Sequence, residues 1–300
     1  MCENAVNARV PVAVPGARGS SPLLKKVAGA VAATAALGAA TAAYGHFIEL
    51  NNFQLRTESL PVLPAGSPDF RILHISDMHM IPGQQKKIDF MHSLAALEPD
   101  LVMNTGDNLS HVGGMEPLLE ALDPLMDFPG VFVPGSNCYF APVFKNPARY
   151  LWQPRTPQMI EEGSRVALPI ERMHDAFESR GWTGLVNRYD TLNLKGLRLE
   201  FSGVDDPHLR YDEHPGFAPG AFDEGDEPSV RIGVAHAPYM RTLHRFVQDG
   251  AQAIFAGHTH GGQVCLPGGH ALVSNCDLPP SRAKGVSEQS GVPVQVSAGL

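Results

Sequence analysis

The chain has 300 residues, 43% of them hydrophobic and 18% charged, which supplies a buried core and excludes a chain disordered throughout. Twenty-three basic against 31 acidic residues leave a formal charge of −8, with no Lys/Arg run longer than two after residue 26, so no nucleic acid is expected as a partner. Thirteen histidines against four cysteines direct attention to metal chemistry, because neutral imidazole is the commonest metal ligand.

Residues 1–22 are rich in Pro, Ala, Gly and Ser, carry Arg9 and Arg18, and read as a disordered basic tail. Residues 23–48 read as a signal-anchor or a signal peptide. Lys25 and Lys26 precede an uncharged stretch from Val27 to Tyr44, 18 residues long, near the lower limit for spanning a bilayer. Small residues around Ala40 to Ala43 offer cleavage sites, so cleavage stays open. Arg9, Arg18, Lys25 and Lys26 favour a cytoplasmic N-terminus, which puts the following domain on the extracytoplasmic side of the membrane. Residues 49–69 read as a linker.

From Phe70 to Leu300 the pattern is that of one α/β domain. FRILHIS runs into DMH, DLVMNTG into DN, GVFVPG into SNC, IGVAHAP follows SVR, and AIFAGHTHGG follows AQ. Between the first two, Lys86 to Leu97 carries Ile88, Met91, Leu94, Ala95 and Leu97 at helical spacing, and Pro99 ends it. Strand, helix, strand is the βαβ rhythm, and ligands gather at the carboxyl ends of such strands, where each polar corner falls. Residues 141–183, with five prolines, break the rhythm and read as a lid-like insertion. Residues 205–229, acidic and Pro/Gly-rich, read as a surface loop.

The corners hold the chemistry. Asp77 and His79 lie two apart beyond one strand, Asp107 follows a second, Asn137 a third, His236 a fourth, and His258 and His260 a fifth. Singly, each has a bland reading as a cap, a turn residue or a core histidine; five corners bearing oxygen or imidazole ligands in one βαβ chain point to a metal site. Their blocks, Asp77-Met78-His79, Gly106-Asp107-Asn108, Gly135-Ser136-Asn137-Cys138, His236 and Gly257-His258-Thr259-His260, resemble the calcineurin-like metallophosphoesterase superfamily. LHISDMH, NTGDN and AGHTHGGQ are most similar to its bacterial membrane-associated phosphodiesterase branch. The resemblance implies a four-layer α/β/β/α sandwich and two divalent metals bridged by Asp107. Asp77, His79 and His260 would complete one metal site, and Asn137, His236 and His258 the other. It implies hydrolysis of a phosphate ester, a diester first, by a bridging hydroxide, with Asp107, Asn137 and His236 as the catalytic set. The substrate would be a small molecule or a lipid head group. Two cations (+4), two carboxylates (−2) and a hydroxide (−1) leave a charge of roughly +1 to attract phosphate. Mixed Asp, Asn and His donors suit Mn, Fe or Zn better than Ca.

The third block departs from the family's GNH[DE]. An ungapped alignment puts Ser136 at the ligand Asn, while a one-residue shift keeps Asn137; an amide oxygen is the better ligand for a divalent ion. No His follows it in either case, which keeps open a rival reading as a noncatalytic membrane-tethered scaffold with a degenerate site. Cys138 reads as an inert thiol in a supporting position, since it lacks a recognisable base. Asn104 and Asn108 are candidates to hold the ring tautomers, and His74 a core or supporting histidine. Asp205, Asp206 and His208 either line the cleft or form a turn, and Arg149 and Arg155 either clasp a phosphate or stay in solvent. Cys265 and Cys276 could pair or remain thiols. QVSAG resembles the start of the family's closing strand and Gly-rich turn, and the resemblance implies further strands after Leu300, which leaves a truncated C-terminus open.

Overall fold

The uncharged stretch after Lys26 and the alternating runs after Phe70 fall into separate units, the first ending at Asn52 and the second running from Phe53 to Leu300. The structure, a computed structural model, describes residues 22–48, 51–143, 165–219, 229–266 and 270–300. Residues 1–21 of the expected basic tail lie outside them. In the first unit, α1 spans Pro22–Phe47. Its Lys25–Gly45 portion is 21 residues long with mean hydropathy 1.5, long and apolar enough to cross the ~30 Å hydrocarbon layer of a bilayer.

In the second unit, successive residues of each strand point to opposite faces and so serve different layers. In β2 (Leu101–Asn104), Leu101 and Met103 enter one apolar cluster and Val102 another; Val131 and Phe132 of β3 (Gly130–Phe132) divide in the same way. β1 (Ile72–Ile75), β2, β3 and β4 (Thr183–Gly184) form a parallel sheet in that order, with Ile72 paired to Leu101 and Ile75 to Asn104. A six-stranded sheet contains β5 (Arg188–Leu194), β6 (Leu197–Gly203), β7 (Ser229–Val234), β8 (Ala253–Ala256), β11 (Gly285–Gln289) and β12 (Val292–Val296). Its spatial order is β11-β12-β8-β7-β6-β5, parallel from β12 to β6 and antiparallel at both edges. A separate antiparallel pair joins β9 (Val264–Leu266) to β10 (His270–Val273).

Three apolar clusters make these sheets a four-layer α/β/β/α sandwich. On the outer face of the parallel sheet, Leu73, Ile75 and Phe132 meet α2 (Gln85–Leu94), α3 (Met115–Leu122) and α5 (Ile170–Ser179) through Met91, Leu118 and Phe177. Between the sheets, Met103 and Val131 meet Phe201, Ile232 and Phe255. On the far side, Ile254, Val294 and Val296 are covered by Leu243 and Phe246 of α6 (Met240–Gln248). The helix expected from Lys86 to Leu97 is α2 followed by one tight turn, Ala95–Leu97, before Pro99.

Several expected boundaries move. Residues 144–164 of the expected lid lie outside the described residues, but α5 and β4 belong to the core because Met173 and Phe177 are fully buried against the sheet. Asp205 and Asp206, expected in a surface loop, are buried, because their carboxylates bond Tyr139 and the backbone that follows them; residues 220–228 of that stretch lie outside the described residues. QVSAG ends β12, which is paired on both sides, rather than beginning a strand. Cys265 is exposed and Cys276 buried, and no bridge joins the two.

Candidate metal centre

All five polar corners leave the carboxyl ends of β1, β2, β3, β7 and β8, and the backbone there is unusual. Asp77 (φ 55°), His79 (46°), Asp107 (52°), His258 (70°) and His260 (52°) all occupy the left-handed region, which is uncommon for residues with a side chain, though Asp and His enter it more readily than most. Cross-corner hydrogen bonds hold it: Asp77 N donates to Gly106 O at 2.8 Å, His79 N to Asp107 O at 2.9 Å, and Gly257 N to His236 O at 2.8 Å. Glycines let the corners converge. A Cβ on Gly257 would lie 2.6 Å from Asp77 Oδ2, and one on Gly135 would lie 2.6 Å from the His236 ring, distances that any side chain would have to break.

The convergence brings together two sets of side chains. Asp77, His79 and His260 form one, and Asp107, His236 and His258 the other, with the ligand atoms of each set within 4.8 Å of one another. In the first, His79 Nε2 is 3.1 Å from His260 Nε2, which is 3.4 Å from Asp77 Oδ1. In the second, His236 Nε2 is 3.3 Å from Asp107 Oδ2 and 3.3 Å from His258 Nδ1. Asp107 Oδ2 also faces His79 Nε2 at 3.8 Å, so one oxygen looks at both sets. α4 (Ser136–Tyr139) carries Asn137 to the same carboxylate: Asn137 N donates to Asp107 Oδ1 at 2.7 Å and Asn137 Nδ2 to Oδ2 at 2.8 Å.

The donor chemistry fits divalent cations. Asp77 Oδ2 accepts from Ser76 Oγ and His258 N, whereas Asp77 Oδ1 is buried with no hydrogen-bond partner, a group that ordinarily costs stability unless something binds it. His236 Nδ1 donates to Thr105 O at 2.7 Å, and His258 Nε2 to Asn275 O at 3.3 Å. Those carbonyls fix the tautomers and turn the opposite nitrogens inward; His79 Nδ1, 2.8 Å from Ser110 Oγ, is held similarly.

Residues 70–262, more than half of the chain, match the calcineurin-like phosphoesterase family. The chain belongs to that family. It is a phosphoester hydrolase, in a family that works with divalent metals. The phosphoesterase is 27% identical over 215 residues to YpbG, an uncharacterized protein of Bacillus subtilis (strain 168), covering 70% of this chain and 69% of that protein. Among solved structures it is similar to TT1561 of Thermus thermophilus, at TM-score 0.40 and 12% identity over 76% of this chain and 89% of that one. The phosphopantetheinyl hydrolase PptH from Mycobacterium tuberculosis gives TM-score 0.42 and 13% identity over the same shares, 76% and 89%.

Without a cation, the phosphoesterase neutralises its own site. Burial opposes charge on Asp107, yet His236, by charge and hydrogen bond, with His79 and His258, holds its carboxyl well below the usual range. Burial likewise works against a proton on His236, but the charge and hydrogen bond of Asp107 push this ring up to about 10. Burial holds His258 well below its ordinary value, helped by the charges of His208 and His236. A cation on His236 Nε2 must therefore displace a proton.

The remaining residues divide by what they touch. Cys138 is fully buried, takes weak bonds from Asn108 N and Nδ2, and is pushed up to about 12 by burial and then by Asp107, so it stays a thiol. Asn108 therefore meets sulfur, at Cys138 and Met173, rather than a ring. Asn104 holds the corner instead, its Oδ1 accepting from Gly106 N at 2.9 Å. His74 is half-buried on β1, paired with Thr105 Oγ1 at 2.9 Å and lowered to about 4 by burial. Of the Asp205-Asp206-Pro207-His208 run, His208 reaches the cleft, with Nδ1 3.0 Å from the Tyr239 hydroxyl and its ring 4.7 Å from His258. Arg149 and Arg155 lie outside the described residues. Sequence reasoning missed Thr105, Ser110 and Asn275 as holders of rings, and Gly299, whose Cα lies where a Cβ would be 3.0 Å from the Asp77 side chain and 3.1 Å from His260 Nδ1. Only NTGDN, which contains Thr105, carried any signal for them.

Two outcomes are expected. Calorimetric titration of the metal-free protein with Mn²⁺ at pH 7, in buffers of different ionisation enthalpy, should register release of about one proton from His236. The same coupling has a sign: Mn²⁺ uptake strengthens by up to about tenfold per pH unit between about 7 and 9, while His236 is still protonated in the metal-free state, and weakens on acidification. Uptake independent of buffer and pH would contradict the His236–Asp107 pairing. Cys138→Ser, read by steady-state hydrolysis at matched metal content, should stay within about tenfold of wild type, a barrier change near 1.4 kcal/mol.

Proposed function

We propose that the chain hydrolyses a phosphodiester at two divalent ions, one held by Asp77, His79 and His260 and the other by Asn137, His236 and His258, with Asp107 between them. The observation that carries this reading is Asp107 Oδ2, 3.8 Å from His79 Nε2 and 3.3 Å from His236 Nε2, which is how a bridging carboxylate must stand. Bound ions would supply positive charge to the phosphoryl oxygens and a water acidified to near neutral pKa. Asp77 offers its unpartnered Oδ1 to this work, and Thr105 and Asn275 keep His236 and His258 in the tautomers that present a lone pair. Asn137, rather than Ser136, is the assigned ligand because its side chain already lies on Asp107; turning its amide over presents the oxygen. Oxygen and imidazole donors together favour Mn, Fe or Zn.

The proposal extends to the membrane. A helical Lys25–Gly45 span of mean hydropathy 1.5, preceded by Arg9 and Arg18 and opened by Lys25 and Lys26, supports an anchored phosphodiesterase of the bacterial membrane-associated branch. The charge bias favours a cytoplasmic N-terminus and an extracytoplasmic catalytic unit. A small phosphate ester or a lipid head group is the substrate in this reading.

Asp107→Asn should bind less metal and lose at least about a thousandfold in hydrolysis of bis(p-nitrophenyl) phosphate, since one change weakens both ion sites. Elemental analysis beside the rates decides it; full activity in the variant, or in metal-free wild type, would sink the mechanism. For location, full-length protein should sediment with membranes and yield its catalytic unit to protease added from the extracytoplasmic side. Recovery in the cytoplasmic fraction would overturn the anchored topology.

A further inference from the structure

We infer that Arg165 makes the cleft selective for small phosphate esters whose organic part carries a second anionic group; this rests on the hydrolase reading of the same site. The cleft beside the two sets has a volume of about 270 Å³, at the small end for a ligand site. Its walls differ in chemistry. Asn137, His208, His258 and Asn275 are polar, while Phe140, Ala141, Pro142 and Val143, consecutive in the chain, are apolar. Among the described residues that line it, Arg165 is the cation, and Asp107, already engaged by His236 and Asn137, is the carboxylate.

Two features mark Arg165 as a binding group rather than a solvated side chain. First, its guanidinium lies over the Phe140 ring, 5.3 Å from the centroid, and it makes no ion pair with a described carboxylate. A guanidinium stacked on an aromatic face is held in place yet keeps its N–H fork for an anion, so less side-chain entropy is lost on capture. Second, its backbone is tied to the metal corner. Phe140 and Ala167 form an antiparallel bridge, Ala141 N donates to Val166 O at 2.8 Å and Leu168 N to Tyr139 O at 2.8 Å. The same short segment begins with Asn137 on the Asp107 carboxylate. Arg165 is thereby set beside Phe140 in the cleft that Asp107, His258 and His260 also line.

A phosphoryl group held at the two sets would leave the rest of a small ester against Phe140 and its neighbours, with Arg165 available to an acidic substituent. A carboxylate and a second phosphoryl group share that chemistry. A simple neutral ester would leave the guanidinium without a partner and gain only the apolar contact.

The test is calorimetric binding to the metal-loaded protein of three non-hydrolysable probes: phenylphosphonate, 4-carboxyphenylphosphonate and 1,4-phenylenebisphosphonate. Wild type should bind at least one dianchored probe about tenfold more tightly than phenylphosphonate, equivalent to about 1.4 kcal/mol. The larger gain identifies the anion. In Arg165→Gln the three should agree within about twofold, and Arg165→Lys should keep part of the preference, having the charge without the fork. Equal binding in wild type, a preference that survives in Arg165→Gln, or binding of none of the probes would each overturn the inference. Hydrolysis of bis(p-nitrophenyl) phosphate by the same loaded protein is measured in parallel. Its absence would instead overturn the phosphodiesterase reading, so the two failures are told apart.

Discussion

Asp107 is 3% exposed, and a carboxylate taken out of water loses several kcal/mol of hydration unless partners replace it. Its replacements come from three different corners: the backbone and side chain of Asn137, the Nε2 of His236, and the more distant Nε2 of His79. No segment of the chain near residue 107 could supply them. The charge at this point thus requires β1, β3 and β7 to end in register with β2. In the metal-free protein the proton on His236 balances it; a cation held by the same residues would take over that role and displace the proton.

The sandwich makes this register rigid. Residues alternate along β2 and β3 between the helix-covered cluster and the inter-sheet cluster, so a slip of one residue would exchange Val102 with Leu101 and Met103 between layers and withdraw Asp107 from its partners. The left-handed backbone of Asp77, His79, Asp107, His258 and His260 is a local cost of roughly 1–3 kcal/mol per residue. Hydrogen bonds between corners, such as His79 N to Asp107 O, offset it. Strain concentrated in the residues that could hold a metal pre-organises them, because their rings would need no reorientation to take a cation.

The altered third block has a physical reading as well. With Cys138 buried behind Asn108 and Met173 and Asn137 on Asp107, this corner presents an amide and a hydroxyl to the cleft instead of an imidazole. The imidazole that does face the cleft outside the two sets is His208, brought in by the turn that Asp206 caps. Tyr139 links the two regions, its hydroxyl donating to Asp205 at 2.8 Å from the end of α4. The corner that holds Asn137 and the turn that carries His208 are therefore one connected polar structure.

The sequence by itself determined the α/β class, the apolar N-terminal stretch and the residue types at the five strand ends, while the sandwich came from the family resemblance those strand ends carry. These were legible because strand alternation and Gly-flanked Asp and His corners are local patterns, with a period of two or a spacing of a few residues. Asp77, His79, Asp107, Asn137, His236, His258 and His260 were named on that ground, and the structure brings all seven together. Tertiary structure alone decided what holds them: Thr105, Ser110 and Asn275 act through a carbonyl, a hydroxyl and a carbonyl, groups that every residue or many residues possess and that no motif distinguishes. It also decided that Asp205 and Asp206 are interior, that α5 belongs to the core, and that Arg165, which belongs to no motif, lines the cleft. Each of these depends on contacts between segments far apart in the chain, where burial and direction, not residue type, settle what a side chain does.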